Sequence, residues 1–257
     1  RDDLSRAYTP GVARVSMASR EQADAAVRAA SSGWPAWRDR ALADRAALLS
    51  KLADLLERDR DRHAALQCFE VGKPWREADA DVAEAIDFCR YYSRLAAPEL
   101  GPRPLGGLPG EENTLWHEGR GVCVVISPWN FPLAILCGMS TAALVAGNTV
   151  VMKPAEQSSA VAWGLFEAMR EAGFPPSAVQ FVPGVGEEVG PVLVEHPDVA
   201  QVAFTGSRAV GLSIVRAASV THPGQRQVKR VVCEMGGKNA IIVDDDADLD
   251  EAVHGIV

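Results

Sequence analysis

The chain has 257 residues, 47% of them hydrophobic, and its 34 acidic against 26 basic residues leave a net charge of −8. That length supports one large core or two modest ones, and an acidic balance without any basic block argues against nucleic acid as a partner. No apolar run approaches the roughly 20 residues that span a bilayer. Five cysteines without a C-x-x-C pair or a Cys/His cluster fit a reducing compartment, the cytoplasm or a mitochondrial matrix, and no metal site.

In chain order, Ser19 with Gln22 three residues on has the pattern of a capping box and predicts a helix through the Ala-rich run to about Ser31. Between Arg40 and Arg58, Leu48, Leu49, Leu52, Leu55 and Leu56 recur at helical spacing and predict an amphipathic helix. A third helix is predicted over Arg62 to Val71, ended by Gly72, and a fourth from about Glu77 to Leu95. The Gly- and Pro-rich stretch from Gly101 to Asn113 breaks helix and strand alike and marks an internal boundary.

Beyond it the rhythm changes. Strand-like runs at Val122 to Ile126, Thr149 to Met152, Val179 to Val182, Val199 to Phe204 and Val228 to Val232 alternate with helical patterns at Leu133 to Val145, Ser158 to Ala172, Glu187 to Glu195 and Ala209 to Ala218. This alternation predicts an α/β fold, a doubly wound parallel sheet covered on both faces. Such a sheet binds its ligand at the C-terminal ends of its strands.

The predicted strand ends carry the candidate residues. After the first, Ser127-Pro128-Trp129-Asn130-Phe131-Pro132 offers the Asn130 amide, either as an oxyanion donor or as a cap for the helix that follows. After the second, Lys153-Pro154-Ala155-Glu156 sets a cation near a carboxylate, suited to a ribose and phosphate or to a plain surface ion pair. After the third, Gly184, Gly186 and Gly190 form G-x-G-x-x-x-G, one residue longer than the dinucleotide fingerprint and equally a helix start with close packing. After the fourth, Phe204-Thr205-Gly206-Ser207 permits close backbone approach and opens a helix whose N-terminus can receive a pyrophosphate. After the fifth, Glu234 stands before Gly236 and Gly237 as a possible general base or an ordinary turn residue. Cys233, next to it, falls on the opposite face of a strand and is no nucleophile for the same site.

Taken in order, P-W-N-F-P, K-P-A-E, F-T-G-S and E-M-G-G-K resemble the motifs of the aldehyde dehydrogenase superfamily from about Ser19 to Val257. The resemblance implies a Rossmann-like cofactor domain over 1–102 and 121–236, an oligomerisation hairpin over 103–120, and the start of a catalytic domain at 237–257. It implies Asn130 as half of an oxyanion hole and Glu234 as the base that activates water. It assigns Lys153 and Glu156 to the adenosine ribose, Gly186, Gly190, Phe204, Gly206 and Ser207 to the adenine and pyrophosphate, and Ile126, Pro128 and Trp129 to the wall beside the cofactor.

The implied cofactor is NAD, with NADP possible, the substrate a small aldehyde, and the assembly a homo-oligomer. Glu70-Val71-Gly72-Lys73, Asp81 to Phe88 with Tyr91-Tyr92, Pro109 to Asn113, and His222 to Arg230 are similar to the glutamate-γ-semialdehyde (pyrroline-5-carboxylate) dehydrogenases of proline catabolism. Such an enzyme stands alone or forms part of a bifunctional proline-oxidising polypeptide. In that family the nucleophilic cysteine lies further along than the 23 residues that follow Glu234, so this sequence reads as an N-terminal fragment. The remaining alternatives are another aldehyde dehydrogenase subfamily or a non-catalytic nucleotide-binding module.

Overall fold

The computed structural model describes residues 14–256; the first thirteen residues and Val257, which the domain division above includes, lie outside the described residues. Four helices come first: α1 (Arg20–Arg38), α2 (Leu42–Arg58), α3 (Arg60–Val71) and α4 (Trp75–Leu100). The capping box at Ser19 is present in both directions, its hydroxyl accepting from Gln22 N and the Gln22 side chain accepting from Ser19 N. The first helix runs past Ser31, because tertiary packing overrides the low propensity of Gly33 and Pro35. Gly33 is pressed against Ser177, where a Cβ would come within 2.5 Å of its backbone oxygen, and Trp37 is buried. The fourth helix likewise extends beyond its predicted ends.

The Gly/Pro-rich stretch is a hairpin, β1 (Arg103–Leu105) antiparallel to β2 (Asn113–Leu115), with both strands exposed. Then follow β3 (Val122–Ile126), α5 (Ala134–Val145), β4 (Thr149–Lys153), α6 (Ser159–Ala172), β5 (Val179–Phe181), α7 (Gly186–Glu195), β6 (Val199–Thr205), α8 (Arg208–Ser219), β7 (Arg230–Glu234) and α9 (Leu249–Ile256). The five strands β3 to β7 pair in parallel in the order β5-β4-β3-β6-β7, so the chain winds outward one way from β3 and then returns to wind the other way through β6. This is the predicted doubly wound α/β sheet.

Alternation along the strands divides the core into two layers. Cys123, Val125, Val150, Met152 and Ala203 face α2 to α6. Val122, Val124, Val151, Val202 and Phe204 face α1, α7 and α8. The N-terminal helices are bound to chain far ahead of them: Trp37 Nε1 donates to Leu144 O at 3.1 Å, Trp34 Nε1 to Gly147 O at 3.1 Å, Arg45 Nε to Val145 O at 3.0 Å, and Thr149 Oγ1 to Ala30 O at 3.0 Å. Among the described residues no helix is long and apolar enough to cross a membrane.

The last strand corrects the sequence reading, which placed it at Val228 to Val232. Val228 is 82% exposed, and Lys229 is drawn aside to cap α7, its Nζ donating to Val194 O at 2.6 Å and His196 O at 2.8 Å. Pairing therefore begins at Arg230, opposite Gln201, and Glu234 is the final strand residue.

Burial lowers the Lys229 ammonium from its ordinary value of 10.5 to about 8. Between those values the unfolded chain holds the proton that the folded chain has lost, so this site adds stability as pH rises. Urea unfolding should show wild type gaining about 1–3 kcal/mol on Lys229→Met between pH 8 and pH 10; parallel profiles would disprove the assignment.

Candidate active site

The C-terminal ends of the strands form one edge. Ile126 lies between Lys153 and Phe204 in the pairing register, Phe204 beside Cys233, and Thr205 beside Glu234. With neighbouring strands about 4.8 Å apart, the step from β4 to β7 covers roughly 14 Å. The sequence-predicted residues are thus spread along an open edge, with the change in winding direction between β3 and β6 at its middle. A separate cleft of about 740 Å³ is lined by Phe69, Trp163 and Phe181 and contains none of them.

At the β4 end, Lys153 is 4% exposed, and its Nζ donates to Pro154 O at 3.0 Å and lies 3.6 Å from Glu156 Oε1. Burial lowers the Lys153 ammonium, while Glu156 opposes the shift. Glu156 also accepts from Gly186 N, the first amide of α7. A Cβ on Gly186 would sit 3.4 Å from that carboxylate, so Lys153, Glu156 and Gly186 form one cluster across two βα junctions. The pair is therefore half enclosed, and not the surface ion pair left open above. Gly190 has no atom within 4 Å of a Cβ built on it, which leaves open space on α7 in place of close helix packing.

At the middle, Phe204 is 4% exposed, and its ring lies 2.7 Å from where a Gly206 Cβ would stand and 3.2 Å from a Gly211 Cβ. Phe204 thus lies beneath the turn and supports it, with no open face of its own, and Gly206 is required by that ring. Ser207 caps α8, its Oγ accepting from Val210 N at 3.3 Å.

The starts of α5, α6, α7 and α8, the helices between β3 and β7, differ in charge. Asp81 accepts from Leu133 N at 3.3 Å and Ala134 N at 3.1 Å at the start of α5. Glu70 accepts from Ala160 N and Val161 N, both at 2.7 Å, at the start of α6, and Glu156 sits on α7. Only α8 lacks a carboxylate among the described residues; its Arg208 and Ala209 amides have no acceptor there, and the exposed Arg208 adds a positive charge. An anion is repelled from the first three helix starts and attracted to the fourth.

Across from α8, the loop after β3 presents Trp129 and Asn130 exposed, with Ile126 and Pro128 half-buried. Asn130 does not cap α5, since Asp81 occupies that role, and its carboxamide makes no hydrogen bond among the described residues. Its main-chain oxygen accepts from Lys73 Nζ at 2.9 Å.

At the β7 end, Glu234 is exposed and its backbone oxygen accepts from Gly206 N at 3.1 Å. Cys233 packs on the α8 side, with Sγ 3.8 Å from Gly211 O, and burial raises its thiol. Alternation turns Glu234 to the α5 side, where its neighbour Thr205 meets Met139. Sequence reasoning treated Lys73, Asp81 and Glu70 only as parts of a family pattern; that they hold loops shows only in the fold, where Lys73 and Asp81 are buried.

The sequence has known relatives. It is 45% identical over 243 residues to 1-pyrroline-5-carboxylate dehydrogenase 2 of Halalkalibacterium halodurans, covering 95% of this chain and 47% of that protein. It is 48% identical over 246 residues to the 1-pyrroline-5-carboxylate dehydrogenase of Bacillus cereus, covering 96% and 48%. The chain spans about half the length of the curated relatives it matches.

Among solved structures, proline utilization A from Bdellovibrio bacteriovorus superposes with a TM-score of 0.91 at 57% identity, covering 93% of this chain and 25% of that one. The 1-pyrroline-5-carboxylate dehydrogenase from Thermus with bound NAD superposes with a TM-score of 0.90 at 47% identity, covering 94% and 47%. Residues 4–257 match the Aldehyde dehydrogenase family, and with the four motifs found at the strand ends where a doubly wound sheet needs them, the chain belongs to that family.

Proposed function

We propose that this chain is the cofactor-binding part of an NAD(P)-dependent dehydrogenase that oxidises L-glutamate γ-semialdehyde to L-glutamate, the aldehyde-oxidising step of proline catabolism. The observation that carries the reading is the charge difference among the starts of α5 to α8: of these four, α8 is the one without a carboxylate among the described residues, and it stands at the switch point beside the Asn130 loop. The names of the relatives supply the substrate.

The residues present fit a dinucleotide. Lys153, Glu156, Gly186 and the open space at Gly190 would hold the adenosine end, and the Gly206 turn, supported by Phe204, with Ser207 and the α8 amides would hold the pyrophosphate. Ile126, Pro128 and Trp129 would line the path to the reacting end. When bound, NAD supplies the acceptor for the hydrogen that leaves the aldehyde carbon as hydride. The Asn130 amide donates to the oxyanion formed when a cysteine from the rest of the enzyme adds to the carbonyl. Glu234 then takes a proton from the water that releases the acid.

The proposed division places the cofactor domain at 1–102 and 121–236, the hairpin at 103–120 and the start of the catalytic domain at 237–257. Leu105, Leu108, Leu115 and Trp116 are exposed on the hairpin. A two-stranded hairpin is marginal alone, so we assign its apolar side chains to contacts with another copy. All five cysteines are free, which suits a cytoplasmic or matrix setting.

Steady-state turnover by the full-length enzyme tests the substrate, with kcat/KM for glutamate semialdehyde expected well above that for an aliphatic aldehyde. The reverse order indicates another subfamily, and NAD binding without turnover a binding module. The Glu156 carboxylate, held by Lys153 and Gly186, disfavours a 2′-phosphate by like charge. Glu156→Gln is expected to raise the NADP-to-NAD ratio of kcat/KM by about tenfold or more, and an unchanged ratio would remove Glu156 from cofactor selection.

A further inference from the structure

The turn that joins α3 to α4 touches two ligand loops at once. Gly72 ends α3 in the left-handed region, at φ 70°, and this reversal sends its neighbours in different directions. Glu70, before the turn, reaches Ala160 N and Val161 N at 2.7 Å each and so fixes the start of α6, directly after the segment that carries Lys153 and Glu156. Lys73, after the turn, donates to Asn130 O at 2.9 Å and lies 3.8 Å from the centre of the Phe131 ring.

Lys73 is 8% exposed and Asp81 1%, with Nζ and Oδ2 3.9 Å apart. Burial pushes the Asp81 carboxyl up, and Lys73 opposes that shift. Burying both charges is expensive and buys little stability over an apolar pair of the same volume. Their contacts, however, all fall on the segment 130–134: Lys73 on its first carbonyl and ring, Asp81 on the amides that begin α5. The backbone at Asn130 and just after it is thereby held while the carboxamide stays open.

We propose that this turn is a clamp, in which Lys73, with Asp81, is a positioning residue for Asn130, and Glu70 is a positioning residue for the Lys153–Glu156 segment. The assignment rests on the roles given above to Asn130 and Glu156. It also accounts for Glu70-Val71-Gly72-Lys73 as a unit, since the reversal at Gly72 sends one side chain to each loop.

Hydrogen–deuterium exchange and steady-state kinetics on the full-length enzyme test the clamp. Lys73→Met is expected to speed amide exchange over 127–134 by roughly tenfold or more, the scale of one lost charge-assisted hydrogen bond, and to leave 153–162 at the wild-type rate. Its kcat should fall by about 10- to 100-fold with the KM for NAD unchanged, and Lys73→Arg should recover most of that loss. Glu70→Gln should do the converse, loosening 159–162 and raising the KM for NAD at unchanged kcat.

Wild-type exchange over 127–134 in Lys73→Met, or an unchanged kcat, overturns the proposal. So does loosening of both segments in either variant, which is general destabilisation. Should Lys73→Met fail to fold, Lys73→Gln, which removes the charge and keeps a polar side chain, takes its place beside Glu70→Gln and gives the same crossed pattern or its absence. A wild-type enzyme that oxidises no aldehyde removes the function proposed above, whereas the exchange pattern still decides the clamp.

Discussion

Replacing Asn130 with alanine in the full-length enzyme should cut kcat by about 100- to 1000-fold, the usual cost of one lost oxyanion donor. The structure makes this substitution informative because the carboxamide has no structural duty. It is exposed, it caps nothing, and α5 is capped instead by Asp81. The loop around it is held through the main chain, by Lys73 on Asn130 O, and this contact remains in the alanine variant. Thermal stability should therefore shift by no more than about 0.5 kcal/mol, as for an ordinary surface change, and affinity for NAD should be unaltered. Wild-type turnover in that variant would refute the role.

Glu234→Gln should lower steady-state turnover by about 100- to 10,000-fold, the range of a removed general base. The loss should fall on one half-reaction. Mixing the variant with aldehyde and NAD should still yield a burst of one reduced cofactor per active site, because water is needed only to release the acid. Glutamine keeps the shape, and the position is fixed by the β7 ladder and by Gly206 N on the Glu234 carbonyl, so the variant should fold as wild type. Loss of the burst together with turnover would move Glu234 to an earlier role.

Much of this architecture was legible in the residues. Apolar runs of strand length alternating with helical periods led directly to the parallel sheet, and the capping box at Ser19 and the stop at Gly72 are both present. Boundaries failed where a distant contact outweighed local preference. The first helix passes Gly33 because Ser177 packs against it, and β7 starts late because Lys229 leaves the strand for the carbonyls at the end of α7. The strand ends announced the ligand side of the sheet, yet not which helix start was free. That depended on Asp81, Glu70 and Glu156 reaching amides 52, 90 and 30 residues away, a pairing no local pattern encodes.

The long reach of the N-terminal helices also sets an order of events during synthesis. Trp34, Trp37 and Arg45 find their acceptors only at Gly147, Leu144 and Val145, and Ala30 O waits for Thr149. At about 5–20 residues per second, α1 and α2 leave the ribosome several seconds or more before their partners do. Through that interval Trp37, buried in the finished fold against Phe174, is uncovered, so the end of α1 is a part of the nascent chain that waits long for its cover, and chaperone contact should concentrate there.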